Sequence, residues 1–107
     1  MTTYTVVITP EAQAQLLDLY RYIANAASPG IAARYTDRIA CYCESFRTAP
    51  HRGRKRDDIR PGLRITNYRR RTVIAFKVDG DQVAILGVFH GGRDYETLLQ
   101  DTPAGDE

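Results

Sequence analysis

Long apolar runs are missing from this sequence, and with them the roughly 20 consecutive apolar residues a helix needs to cross a bilayer. The N-terminus, Met1-Thr2-Thr3-Tyr4, also lacks the basic start and apolar segment of a secretory leader, so a cytoplasmic protein with no membrane association is expected. Cysteine is scarce: only Cys41 and Cys43 are present. On a helix their spacing turns them about 200° apart. They should neither bridge each other nor chelate one metal together, and reduced structural thiols are expected. Histidine is equally scarce, with His51 and His90 alone and no ligand spacing around either, so no metal site is expected. Of the two serines, Ser28 reads as a helix cap and Ser45 lies within a helix, which leaves little for a serine-type triad. Glycines 87, 91 and 92 fit neither a dinucleotide fingerprint nor a P-loop, and no cofactor is expected.

What is present suits one soluble globular unit. The 107 residues are 43% hydrophobic and 26% charged, ordinary values for such a chain. A single domain over residues 1–100 is expected, followed by a polar tail at 101–107.

Tyr4-Thr5-Val6-Val7-Ile8 is β-branched and aromatic, which predicts a short strand with Tyr4, Val6 and Ile8 on one face. Thr9-Pro10-Glu11 then supplies a cap, a first-turn proline and an acid for the positive helix end. Ala12, Leu16, Leu19, Tyr20, Ile23 and Ala27 recur at three- and four-residue spacing, with Gln13, Gln15, Asp18 and Arg21 away from the stripe. Ser28-Pro29 repeats the start signal. Ala32, Tyr35, Ile39, Tyr42 and Phe46 form a second stripe, read as a packing seam. The short link between the stripes predicts an antiparallel helical hairpin.

The stretch from residue 61 to 95 holds the strand signals. Residues 63–68 alternate apolar and polar, and runs at 73–78 and 83–89 flank Asp79-Gly80-Asp81, a hairpin connection. Both faces of that hairpin are apolar: Ile74, Phe76 and Val78 against Val73, Ala75 and Lys77, then Val83, Ile85, Gly87 and Phe89 against Ala84, Leu86 and Val88. Two helices cover one face, so the second is expected to be an open docking surface, partly covered by a C-terminal helical turn through Tyr95, Leu98 and Leu99.

Charge is segregated as well. From His51 to Arg71 nine basic residues face only Asp57 and Asp58, a local net charge of +7 in a chain of +2. Such a field steers acidic partners, nucleic acid or polypeptide, although a solvated loop would carry it equally well. The connector at 51–61 is long for a compact domain, hence functional or mobile. RNA cleavage through a 2′-hydroxyl needs a base, an acid and cationic stabilisation. His90, Tyr95, Arg93, Arg64 and Arg71 offer these groups, but no general base stands paired with a lysine or tyrosine. A binding protein, not an enzyme, is the expectation.

Two pieces are specific: Asp58-Ile59-Arg60-Pro61-Gly62-Leu63-Arg64 before a strand, and Val88-Phe89-His90-Gly91-Gly92-Arg93-Asp94 after the last one. With the order strand, helical hairpin, basic connector and β-hairpin, they resemble the ParE branch of the ParE/RelE toxins of type II toxin–antitoxin systems, including plasmid stabilisation proteins. The resemblance spans about residues 4–95. It implies an α+β fold of order β-α-α-β-β-β, with the helical hairpin on one face of a small, mainly antiparallel sheet. It further implies a toxin that binds and inhibits DNA gyrase, causes growth arrest, and is neutralised by a ParD-like antitoxin through which alone it reaches operator DNA. The binding residues implied are Arg64, Tyr68, Arg70, Arg71, His90, Arg93, Asp94 and Tyr95. The alternative within the superfamily is a RelE-like, ribosome-dependent mRNA interferase.

Overall fold

Thr9 joins the two halves of the architecture. Before it runs strand β1 (Thr5–Ile8), and after it helix α1 (Pro10–Ala26). Its Oγ accepts the Ala12 N–H at 3.3 Å, the capping bond that Thr9-Pro10 predicts. The same residue donates twice to the carbonyl of Ile85, from its hydroxyl at 2.8 Å and its N–H at 3.1 Å. One side chain thus starts the helix and pins it to a distant strand.

This computed structural model describes residues 3–69 and 71–90. Helix α2 (Pro29–Glu44) follows α1 almost at once, capped by Ser28 Oγ on the Ile31 N–H at 3.1 Å, and ends in a 3₁₀ turn at Ser45–Arg47. Four strands complete the order: β2 (Arg54–Lys55), β3 (Leu63–Tyr68), β4 (Thr72–Asp79) and β5 (Gln82–His90). They form one sheet of order β1-β5-β4-β3-β2, in which only β1 and β5 are parallel. The α+β fold with the expected order is present. Its addition is β2, a two-residue strand inside the connector that the basic run had hidden. Among the described residues no helix is long and apolar enough to cross a membrane. The expected C-terminal helical turn, the tail at 101–107 and Arg70, Arg93, Asp94 and Tyr95 lie outside the described residues.

The main core lies between the helical hairpin and the sheet. Ala12, Leu19, Ile39, Cys43 and Phe46 from the helices and their turn meet Ile74, Phe76, Val83, Ile85 and Val88. Phe46 and Phe76 pack with ring centroids 4.6 Å apart, a pair worth about 0.5–1.5 kcal/mol beyond its buried area. Tyr4, Val6 and Ile8 join this core from β1, as their alternation requires. Both helical stripes point inward with two corrections on α1. Ala27 lies exposed just past the helix. Gln15 faces the sheet, where its Oε1 accepts the Val88 N–H at 2.6 Å.

The expected strand faces hold only as far as Ile85. In β5, Gly87 pairs with Ala75 but Ile85 pairs with Phe76, so Leu86 is one residue too many. A bulge of this kind reverses the alternation beyond it. Val88 therefore joins Val83 and Ile85 under the helices, while Phe89 turns to the second face with Leu86. Phe89 lies across Gly87, where a Cβ would stand 2.6 Å from the ring, so glycine is required there by close approach.

The second face is not the open surface expected from counting helices. Leu63, Ile65, Ala75 and Phe89 are buried there, with Ile59, Val73 and Leu86 packed around them. The connector folds back so that its one large apolar residue, Ile59, lies against this cluster. Gly53 brings the connector onto β3 so closely that a Cβ would sit 2.3 Å from the Ile65 carbonyl oxygen, and its φ of 74° suits only glycine well. The exposed large apolar side chains among the described residues are Val7, Leu17, Tyr22 and Ile31, of which Val7, alternating with Val6 and Ile8 on β1, lies on that second face at its β1 edge.

Candidate functional site

Three strand ends lie abreast at one end of the sheet. Thr72, the first residue of β4, pairs with Tyr68 at the end of β3 and with His90 at the end of β5. The turn joining β3 to β4 holds Arg69 in the left-handed region at φ 57°, and the Arg71 N–H returns to the Arg69 carbonyl at 2.6 Å. A bulky side chain there carries a local cost, of the sort that collects at binding sites. The Arg69 guanidinium lies 5.5 Å from the Tyr68 ring centroid, and its Nε donates to the Tyr68 hydroxyl at 3.2 Å.

The helices complete a pocket above this edge. Leu19, Tyr22 and Ile23 from α1 and Tyr35 from α2 enclose about 240 Å³ with Arg71, Thr72 and His90. Thr72 is fully buried, and its hydroxyl is satisfied by the Tyr35 hydroxyl at 2.9 Å. Tyr35 also stands edge-on to Tyr68 at 6.0 Å, and Tyr42 lies 5.2 Å from Tyr68. Tyr22 is 62% exposed, yet its ring rests 5.4 Å from that of His90. Among the described residues the pocket therefore has apolar walls, aromatic edges, a cation and no carboxylate in its lining. A partner's apolar side chain flanked by an acidic group matches that chemistry.

Of the candidate residues, Tyr68, Arg71 and His90 come together here. Arg64 stands elsewhere on β3, four residues from Tyr68 and so about 13 Å along the strand. There it donates from Nη2 to the His51 carbonyl at 2.7 Å and from Nε to the Arg52 carbonyl at 3.2 Å, holding the connector to the sheet. Arg52 in turn covers Phe46 and Tyr42 at 4.7 and 5.1 Å. Tyr22, Tyr35 and Thr72 were not among the candidates. Tyr35 was legible only as a seam residue, and Tyr22 sits beside the α1 stripe, where nothing in the periodicity pairs it with His90.

Two ionisable groups are displaced from their ordinary behaviour. Burial, with a smaller contribution from Glu44, pushes the Cys43 thiol up to about 12. Hydrogen bonding from Arg56, at 2.9 Å to each oxygen, holds the Asp58 carboxyl below the usual range. Cys41 is exposed while Cys43 is buried, the opposed placement their spacing predicts.

A small α+β fold with a cationic, aromatic pocket at one sheet edge is what these elements define. The family model for the ParE toxin of the type II toxin–antitoxin system, parDE, matches residues 6–95, and the chain belongs to that family. Among solved structures it is similar to a chain of the chromosomal ParDE TA system from P. aeruginosa, with a TM-score of 0.73 and 21% identity over 82% of this chain and 96% of that one. At that identity the likeness shows a shared fold. None of the curated proteins matches the chain.

Proposed function

We propose that this chain is the toxin of a toxin–antitoxin pair and that it acts by binding, occupying DNA gyrase in the cytoplasm and arresting growth until a cognate ParD-like antitoxin neutralises it. The observation that carries this reading is the family match across residues 6–95, nearly the whole described chain. Two features of the geometry support a reading of how binding would occur. An antitoxin segment would lay apolar side chains on the helical hairpin, where Leu17, Tyr22 and Ile31 are exposed, and direct acidic groups to Arg69 and Arg71 at the edge pocket. The same edge, with His90, is the surface free toxin would offer to gyrase. Operator DNA would be reached through the antitoxin.

The test is induced expression with and without the neighbouring short reading frame, followed by supercoiling and RNA-cleavage assays on purified protein. Growth arrest relieved by the neighbour, together with lost supercoiling, is the expected result. Ribosome-dependent RNA cleavage that disappears on Arg71→Ala would overturn the gyrase reading in favour of an mRNA interferase. Absence of any arrest would overturn the toxin reading itself.

A further inference from the structure

A second cationic site lies on the connector, away from the edge pocket. Lys55 of β2 pairs directly across from Arg64 of β3. Like charges facing each other across an antiparallel pair destabilise it. Neither Lys55 nor Arg64 is ion-paired to a carboxylate of the described residues, unlike Arg56 with Asp58 and Arg47 with Glu44. Asp57 lines the same cavity, one of its oxygens accepting the Gly62 N–H at 2.8 Å, and its single negative charge leaves the two cations in excess. Arg64 is held in place by neutral carbonyls, which leave its charge intact. Between these groups opens a cavity of about 270 Å³ lined by His51, Lys55, Asp57, Gly62, Arg64 and Val78.

We infer that this cavity binds a phosphodiester group of a nucleic-acid backbone, bridged by Lys55 and Arg64. The anion would remove the like-charge repulsion that the empty pair carries, and His51 adds a further donor at the wall. An acidic polypeptide fits less well. Peptide recognition combines charge with apolar anchors, and among the described residues Val78 is the only large apolar side chain in the lining. Backbone contacts to phosphate need only cations and N–H groups. The site is independent of the toxin reading, since it involves neither the hairpin surface nor the edge pocket.

The test is fluorescence anisotropy with the full chain, titrated into labelled duplex DNA and into single-stranded RNA of the same sequence across a salt series. Each phosphate contact contributes about 0.9 to the logarithmic salt slope for duplex and about 0.7 for a single strand. Lys55→Glu should weaken binding and lower the slope by about 1, while its melting temperature holds or rises because an ion pair replaces a repulsion. Arg21→Glu, the same charge change on the exposed side of α1, should leave the slope unaltered. The arm with the tighter binding names the source of the phosphate, and equal binding in both supports recognition of the backbone alone. The inference is overturned by an unchanged slope in Lys55→Glu, by an equal loss in Arg21→Glu, or by polyglutamate competing as well as nucleic acid.

Discussion

Gln15 and Val88 are 73 residues apart in sequence, and the side chain of the first accepts the backbone N–H of the second at 2.6 Å. The bond exists because β1 runs out. Its last partnered residue, Ile8, pairs with Ile85, and beyond it the edge of β5 faces α1 instead of a strand. Gln15 substitutes for the missing strand's carbonyl. Gln15→Leu should therefore leave a part-buried N–H unsatisfied and cost about 1–3 kcal/mol, a fall of several degrees in melting temperature that thermal denaturation would detect. Gln13→Leu removes a bond from an exposed side chain to the Ile8 carbonyl and should cost under about 0.5 kcal/mol.

The Tyr35–Thr72 hydroxyl pair fixes α2 to the head of β4. Tyr35→Phe strands the buried Thr72 hydroxyl and should destabilise by about 1–3 kcal/mol. Combining it with Thr72→Val removes both partners, so the double variant should lose less than the sum of the singles. A urea-denaturation cycle measures that coupling, and strict additivity would show that the bond contributes nothing.

Arg71 and Tyr22 are exposed, so their replacement should test binding without disturbing the fold. Arg71→Glu and Tyr22→Ala should each stay within about 0.5 kcal/mol of the parent stability. Arg71→Glu should weaken capture by an antitoxin and flatten its salt dependence, because a steering charge has been reversed. Calorimetric titration at two ionic strengths separates these effects. Unchanged affinity in both variants would remove the edge pocket from the interface.

Cys43 sets a limit at alkaline pH. Its thiol is raised from 9.0 to about 12 in the fold. The unfolded chain therefore releases this proton first, and the contribution to stability is complete below about pH 9 and lost as pH rises towards 12. A thiol reagent applied to the native protein should label Cys41 alone, and denaturant should release Cys43 as well. Labelling of both cysteines at equal rates in the native state would contradict the burial of Cys43.

Local chemistry made much of this fold readable. Thr9-Pro10 and Ser28-Pro29 mark helix starts through bonds made within a few residues, and the two stripes report a single shared core. The bulge at Leu86 left no such mark, since an extra residue in a uniformly apolar strand looks like any other. That one residue decided which face receives Val88 and Phe89. The covered second face was missed for a related reason: a lone Ile59 in a charged connector carries no period from which to infer that it folds back. At the edge pocket, Tyr68, Arg71 and His90 were readable as the ends of strands. Tyr22 and Tyr35 reach it from helices whose rotation about the sheet is a tertiary outcome.

The parallel pairing of β1 with β5, Thr5 beside Gln82 through Ile8 beside Ile85, bears on the order in which the protein is made. The first described strand to leave a ribosome has its partner in the last described one. Until Gln82 and the residues after it emerge, β1, Thr9 and Gln15 all lack their acceptors and donors on β5. Contacts so distant in sequence form late and slowly. An incomplete chain therefore lacks this whole seam, and the finished fold arises only when synthesis of the described strands is over.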